Sequence, residues 1–148
     1  MRIAWRKTGN LRSAGFNEAS MHDDKMKAML VDYMGRGFLD NIIALFRQDA
    51  NVYPFIADML GSDNIRVRLG ATALVEELVK EHRQELLAAV PGLIGLLRHE
   101  NPTIRGDAAS VLGIIKDKAA ERALQECLDD GNPGVRDAVR DALSELGS

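Results

Sequence analysis

The chain has 148 residues, of which 46% are hydrophobic and 28% are charged, a composition typical of one folded domain and unlike that of a disordered chain. Its net charge of −3 is unevenly placed, because residues 1–20 carry +3 and the remaining residues therefore carry −6. An acidic body of this kind argues against binding to nucleic acid, which needs clustered Lys and Arg side chains to release counterions from phosphates.

Cys127 is the single cysteine of the chain, which excludes an intramolecular disulfide and indicates a reducing compartment. The basic residues near the N-terminus are not followed by the apolar stretch of a secretory signal. The longest apolar run, residues 86–97, contains a proline and two glycines, and it is shorter than the about 20 residues that a membrane-spanning helix needs. We therefore expect a cytoplasmic protein without a membrane segment.

Residues 1–20 show no clear period, and their polar, glycine-containing sequence predicts a loosely ordered basic arm. Its large apolar groups include Ile3, Trp5 and Phe16. Two interpretations stay open. In the first, the segment is a flexible tail, or an upstream extension if translation starts at Met21. In the second, its basic and aromatic residues dock on a partner.

Residues 21–49 are predicted to form two helices. From residue 23 to residue 34, apolar side chains recur every three or four residues, which is typical of an amphipathic helix. Gly35-Arg36-Gly37 interrupts this period, and residues 38–46 resume it. We expect this N-terminal helical pair to close one end of a helical stack.

A five-residue motif occurs three times in the rest of the chain. It begins with asparagine, has proline second in two copies, a β-branched residue in the fourth place and arginine in the fifth. The arginines, Arg68, Arg105 and Arg136, are separated by 37 and 31 residues, which are lengths typical of helix-pair repeats. This spacing predicts three repeats over residues 50–82, 83–117 and 118–148, and the last includes a C-terminal cap. The motif residues are Asn64, Arg68, Asn101, Pro102, Arg105, Asn132, Pro133 and Arg136.

Apolar stripes on both sides of the motif predict two helices in each repeat. Second helices are predicted over residues 65–80, 102–115 and 133–146, each with a stripe of core residues. The stripe of the first helices includes Cys127, where a free thiol behaves as a small inert hydrophobe. The first-helix stripes are Ile56, Met59 and Leu60, then Leu93, Leu96 and Leu97, then Leu124, Cys127 and Leu128.

Each residue of the motif has a local task. Asparagine is a preferred N-cap because its side chain accepts a backbone N–H that the helix leaves unbonded, and proline at the next position already holds a helical φ angle. We expect the arginines to pair with carboxylates of neighbouring turns, such as Asp63, Glu100 or Asp130, and so to form a ladder along the stack. The alternative is a row of arginines that binds phosphate or acidic ligands.

Residues 101–113 (NPTIRGDAASVLG) resemble the pattern of HEAT repeats, in which Asn-Pro, a β-branched residue and Arg precede a paired Ala and a Leu-Gly. The short repeat from Arg105 to Arg136 is similar to the phycobilin-lyase-like subgroup of these repeats, and residues 89–94 also resemble armadillo repeats. The resemblance covers residues 50–148 and extends to residues 21–49 by analogy. It implies an all-α fold, a right-handed α-solenoid of HEAT-like or armadillo-like helical repeats.

Because such repeats serve many partners, the resemblance first implies a non-catalytic protein-protein interaction module, a small scaffold or adaptor. The lyase subgroup implies an alternative, a lyase-type accessory or chaperone that acts on a cofactor-bearing protein. A nucleic-acid-binding HEAT protein is a third function, and the acidic body argues against it. We therefore expect another protein as the partner, with no nucleic acid and no membrane.

The residues themselves indicate no catalytic, cofactor-binding or metal site. The deoxyhypusine hydroxylases, which are related to HEAT repeats, bind iron through several His-Glu pairs, whereas this chain has the single pair His99-Glu100. Asp129-Asp130 is predicted to be a solvated turn, because adjacent residues at a helix end face different ways. A phosphate loop, a Gly-x-Ser-x-Gly elbow and a His-Glu-x-x-His run are absent from the sequence.

Positions one, five and eight after each arginine lie opposite the core side of the second helix. They predict a concave groove whose bare middle admits a partner helix or strand, while Asp137 and Asp141 attract its basic residues. The alternative is that Gly106 and Gly113 only ease helix packing and that the acidic residues give the last repeat a polar end face. The predicted partner-binding residues are Leu69, Ala73, Glu76, Gly106, Ser110, Gly113, Asp137 and Asp141.

Overall fold

The computed structural model describes residues 18–148, and this range consists of helices and turns without a β-strand. The predicted arm lies outside the described residues except for residues 18–20, which belong to the first helix. Three short 3-10 segments, Ala50–Phe55, Leu87–Ala89 and Lys118–Ala120, each precede a short α-helix. The α-helices are α1 (Glu18–Gly35), α2 (Leu39–Gln48), α3 (Ile56–Leu60), α4 (Ile65–Leu78), α5 (Arg83–Leu86), α6 (Val90–Leu96), α7 (Pro102–Ile115), α8 (Glu121–Gln125) and α9 (Pro133–Leu146).

The same order of elements recurs three times. A 3-10 segment leads into a short first helix, and a turn then leads into a second helix of 14 residues. The second helices α7 and α9 have the predicted bounds, and α4 ends at Leu78, two residues before the predicted end. This repeated helix-pair order confirms the prediction of an all-α solenoid.

Asparagine caps the N-terminus of every second helix. The side-chain oxygens of Asn64, Asn101 and Asn132 accept the backbone N–H two residues later at 2.9, 2.9 and 2.8 Å. All three caps have an extended backbone, which lets the side chain reach the first helical turn. These local bonds explain why the second helix begins at the same place in each repeat.

One continuous hydrophobic core runs through the stack. The second helices bury their predicted stripes, apart from Leu143, which is half-buried. The N-terminal pair joins this core through Leu30, Met34 and Phe46, and Phe46 packs edge-on against Tyr53 with ring centroids 5.0 Å apart. The buried stripes are Val67, Ala71, Leu74, Val75 and Leu78, then Ile104, Ala108, Val111, Leu112 and Ile115, then Val135, Val139, Ala142 and Leu146.

The core stripe predicted for the first helix of the third repeat is partly wrong. Leu124 is buried, but Cys127 is half-buried and Leu128 is 41% exposed. Because α8 ends at Gln125, the residues that follow it in the sequence no longer have the helical period that places side chains on one face. Burial raises the pKa of the Cys127 thiol, and the nearby Asp130 carboxylate raises it further. A thiol with a raised pKa is a poor nucleophile.

The second helices pack side by side in the order α4, α7 and α9, and α1 packs on α4 at the N-terminal end. The close approach of α1 to α4 depends on Gly70, where an added Cβ would overlap the Sδ of Met34. This row of four helices includes α4, α7 and α9, which hold the predicted partner-binding residues.

Replacement of Asn101 by alanine should destabilise the fold, because the Thr103 N–H then loses its acceptor. We expect Asn101→Ala to lower the free energy of unfolding by about 1 kcal/mol. Thr103→Ala keeps the cap in the same helical turn, and we expect it to change stability by less than about 0.5 kcal/mol. Urea unfolding followed by circular dichroism measures both, and equal stabilities would show that the cap contributes nothing.

Candidate functional site

The three motif arginines fold back onto the turn that precedes their helix. In each case Nη1 donates to the carbonyl oxygen six residues earlier, that of Ser62, His99 or Asp130, at 2.9, 2.9 and 2.7 Å. These turn carbonyls have no partner within a helix, so the guanidinium group supplies the donor that they need. The arginine therefore joins the turn to the second helix in every repeat.

Arg105 also joins two repeats. Its Nε and Nη2 donate to the two carboxylate oxygens of Asp130, each at 2.9 Å, and the side chains of the two residues are only 19% and 11% exposed. Asp130 in addition accepts the N–H of Asn132 at 2.9 Å. The hydrogen bond from Arg105, with that from Asn132, holds the pKa of Asp130 below its ordinary value. Bidentate pairs of this kind are among the stronger polar contacts in proteins.

Arg68 has a weaker partner in the next repeat. This residue is only 8% exposed, and its Nε lies 3.4 Å from Oδ2 of Asp107 but has no hydrogen-bond acceptor among the described residues. The residue equivalent to Asp130 in the second repeat is His99, whose Nδ1 accepts the N–H of Asn101 at 3.0 Å. An imidazole in this place offers Arg68 no carboxylate, and the Arg68 side chain lies against Asp107 instead.

The predicted carboxylate ladder is therefore wrong in most of its partners. Asp63 and Glu100 contribute their backbone carbonyls, to Arg68 at 3.2 Å and to Arg105 at 3.3 Å, rather than their carboxylates. Asp130 is a carboxylate partner, and it pairs with Arg105. The sequence pattern does not distinguish side-chain from backbone acceptors, because both lie in the same turn.

Arg83 makes a long-range contact within the second repeat that the motif does not contain. Its Nε and Nη2 donate to the carbonyls of Ile115 at 2.9 Å and Lys116 at 2.7 Å, at the C-terminal end of α7. Lys116 lies there in the left-handed region with a φ of 60°, which leaves helix-end carbonyls exposed to a donor. Arg83 stands between two motif copies and has no repeated counterpart, so periodicity gives no signal for it.

A groove runs between α7 and α9. It consists of two cavities of about 320 and 360 Å³ that share Ser110 and Ala138, and we name it the α7–α9 groove. Its floor is open at Gly106, where an added Cβ would meet no atom of residues 18–148 within 4 Å. The charged side chains that line it are Asp107, Asp141, Glu145 and Lys116, and Lys116 pairs with Glu145 at 3.3 Å.

The structure brings only some of the predicted partner-binding residues to this groove. Gly106, Ser110 and Asp141 line it, whereas Asp137 lies outside both cavities and pairs with Arg140 at 3.1 Å. Leu69, Ala73 and Glu76 lie on α4, where Leu69 is 64% exposed, Glu76 is exposed and Ala73 is half-buried.

The prediction that Gly113 belongs to the exposed face is wrong. Gly113 is buried where α7 meets α9, and a Cβ added there would lie 3.0 Å from the Cα of Ala142. Gly113 reaches only the bottom of the second cavity. Gly106 and Gly113 therefore differ: one leaves space open, and the other permits close helix packing.

Several groove residues are missing from the sequence prediction, among them Asp107, Gly134 and Glu145. The prediction selects positions directly opposite the core, but the walls of a groove between two helices are the flanks that face each other. The spacing between α7 and α9 decides which flanks these are, and a single helical period does not contain that distance.

A larger cavity, about 640 Å³, lies elsewhere, along α1 beside Asn64. Its charged lining is balanced, because Asp24 and Asp32 lie beside Lys27 and Arg36, and Asp32 pairs with Arg36 at 3.1 Å. This cavity is therefore large, but its lining has no net charge that would favour a partner of opposite charge.

A family model described as HEAT repeats matches residues 53–144. The chain belongs to the HEAT-repeat family. The match confirms the resemblance seen in residues 101–113, and the phycobilin-lyase-like subgroup stays a prediction. None of the curated proteins compared matches this HEAT-repeat chain.

Two further properties of the HEAT-repeat chain concern residues 18–148. None of its helices in that range combines the length and the apolar character required to cross a membrane. The same range has no group of three or more His, Cys, Asp or Glu residues arranged to hold a metal ion.

Removal of the Asp130 carboxylate should destabilise the fold in a pH-dependent way. At neutral pH we expect Asp130→Asn to lower the free energy of unfolding by about 2 to 3 kcal/mol, because Arg105 loses a charged acceptor. The native pKa of Asp130 is lowered, so its contribution is full above about pH 5 and is lost as the pH falls through the native pKa. The difference between wild type and Asp130→Asn should therefore shrink in acid.

Urea titrations at several pH values measure this difference. Asp129→Asn changes the adjacent, exposed carboxylate and is the control, with an expected effect below about 0.5 kcal/mol. A loss for Asp130→Asn that is the same at neutral and acidic pH would contradict the assigned charge pair.

The two glycines of α7 should respond in opposite directions to alanine. Gly106→Ala should raise the free energy of unfolding by about 0.5 to 1 kcal/mol, because the helix gains propensity and the new Cβ meets open space. Gly113→Ala should give a net loss of about 1 kcal/mol, because the Cβ forces α7 and α9 apart. Thermal unfolding of the two variants side by side measures the sign, and equal shifts would contradict the packing described for Gly113.

Proposed function

We propose that this HEAT-repeat chain is a non-catalytic protein-binding module, a small scaffold or adaptor, and that its partner binds in the α7–α9 groove. HEAT repeats are commonly protein-interaction scaffolds, and the proposal concerns where this chain binds. The observation that carries it is Gly106, a glycine within a 14-residue helix that no neighbouring group in the described part of the chain requires.

Glycine within a helix lowers stability by about 0.5 to 1 kcal/mol relative to alanine. At Gly113 the close contact with Ala142 offsets this cost, but at Gly106 no atom of the described residues uses the space. An open floor at that point lets the backbone or a short side chain of a partner approach α7 closely. The adjacent Gly134 on α9 widens the same opening.

Exposed apolar side chains on α4 extend the binding face. Ile65 and Leu69 are 58% and 64% exposed, and their four-residue spacing places them next to each other on the helix. Exposed pairs of large apolar residues favour contact with another protein. The acidic lining of the groove favours basic partner residues and disfavours phosphates, so it supports a protein partner rather than nucleic acid.

A matched pair of glycine variants tests the proposal. Gly106→Leu fills the floor of the groove, whereas Gly95→Leu fills equally open space on the first helix α6. Both replace a helical glycine, so both should fold and gain helix propensity. We expect Gly106→Leu to weaken partner binding at least about tenfold, which corresponds to about 1.4 kcal/mol.

The measurement is affinity capture from an extract of the source cells, with quantitative mass spectrometry of wild type and both variants. Proteins retained by wild type and Gly95→Leu but lost by Gly106→Leu are the expected partners. Identical captured sets for all three proteins would contradict the assignment of the groove.

A further inference from the structure

The two contacts between successive repeats are closed by glycines on opposite sides of the stack. We name the contact between the first and second repeats the first joint, and the contact between the second and third repeats the second joint. At the first joint the first helices α3 and α6 meet closely, since a Cβ added at Gly92 would lie 2.7 Å from the Cβ of Ala57. At the second joint the second helices α7 and α9 meet closely instead, where Gly113 faces Ala142.

The other side of each joint lacks the glycine. The place 13 residues before the motif arginine is Gly92 in the second repeat and Ala123 in the third. The place eight residues after the arginine is Glu76 in α4 and Gly113 in α7. A cavity of about 330 Å³ lies between α6 and α8, and α4 and α7 pack much less closely than α7 and α9. The first joint is thus open between its second helices, and the second joint is open between its first helices.

Short hydrogen bonds fix the open side of the second joint. Arg105 donates to both carboxylate oxygens of Asp130 at 2.9 Å, and Asp130 lines the cavity between α6 and α8. The second joint is therefore held on both sides, by helix packing at Gly113 on one side and by this two-bond contact on the other.

The open side of the first joint is crossed by a longer ion pair. The Nε of Arg68 in α4 lies 3.4 Å from Oδ2 of Asp107 in α7, and this buried N–H has no hydrogen-bond acceptor among the described residues. A single contact of that length fixes the distance between two helices less well than two short, directional hydrogen bonds do. The first joint is therefore held firmly on one side, between α3 and α6, and loosely on the other.

We propose that the first joint is a hinge, with its axis at the contact of α3 with α6 and its motion limited by the ion pair between Arg68 and Asp107. Rotation about this axis changes the distance between α4 and α7, while α7 and α9 keep a constant distance. The inference does not rest on the proposed function, because the hinge is a property of the free chain.

Distances between nitroxide labels test the hinge. In a Cys127→Ser background, one protein carries Glu76→Cys with Thr103→Cys, which spans α4 and α7. A second protein carries Thr103→Cys with Ser144→Cys, which spans α7 and α9. All three labelled positions are exposed, and each pair joins a position two residues before a motif arginine to one eight residues after another. The labels then lie about 15 Å apart along the helix axis and about 9 Å across it, which suits double electron–electron resonance.

We expect the distance distribution of the α4–α7 pair to be at least about twofold wider than that of the α7–α9 pair, because the second joint is held on both sides. Asp107→Asn removes the charge that attracts Arg68 and keeps the side-chain volume, so it should shift the α4–α7 distances to longer values. Asp141→Asn is the matched control, because Asp141 lines the same groove and forms no ion pair among the described residues. It should change neither distribution.

Two results would overturn the proposal. Equal widths for the two label pairs would show that the joints are equally stiff. An α4–α7 distribution that Asp107→Asn leaves unchanged would show that the ion pair does not limit the motion. Circular dichroism of each labelled protein checks that the helical stack is retained. No partner is present in these measurements, so their outcome is independent of the capture experiment.

Discussion

The fold depends on an arginine that follows the asparagine cap by four residues and folds back onto the turn. The arginine donates a hydrogen bond to the carbonyl oxygen six residues earlier in all three repeats. The asparagine side chain caps the first turn of the same helix. The two bonds join the turn to the second helix in the same way in each repeat. The second helices form one row, and the α7–α9 groove lies between two members of it.

The sequence predicts well those features whose causes lie within a few residues. The caps at Asn101 and Asn132 and the helices behind them follow from local chemistry, and both helices have the predicted bounds. The first helices are less predictable, because 3-10 segments and turns interrupt the helical period before Cys127 and Leu128. Long-range pairs such as Arg83 with Ile115 depend on how the two ends of one repeat pack together, which no local pattern contains.

The candidate site shows the same division. Periodicity places Gly106 and Gly113 on one face of α7, because they are seven residues, or about two helical turns, apart. The neighbouring helix then makes them different, since Ala142 approaches Gly113 while none of the described residues approaches Gly106. Asp107 is a groove residue because of its position on the flank of α7 that faces α9. Its contact with Arg68 is also long-range, since His99 occupies the place in which the next repeat has Asp130. The packing distance between helices, rather than the helical period, defines the site.

The unequal arginine contacts make the stack mechanically uneven. The joint between the second and third repeats has a two-bond fork between Arg105 and Asp130, whereas the joint between the first and second has a single, longer contact from Arg68. The second and third repeats are therefore held together by more polar contacts than the first and second repeats are. The α7–α9 groove lies across the joint that has this fork, and a groove of fixed shape would lose little ordering entropy on binding the proposed partner. We expect bending of the molecule at the other joint, where it would move the exposed Leu69 on α4 relative to the groove.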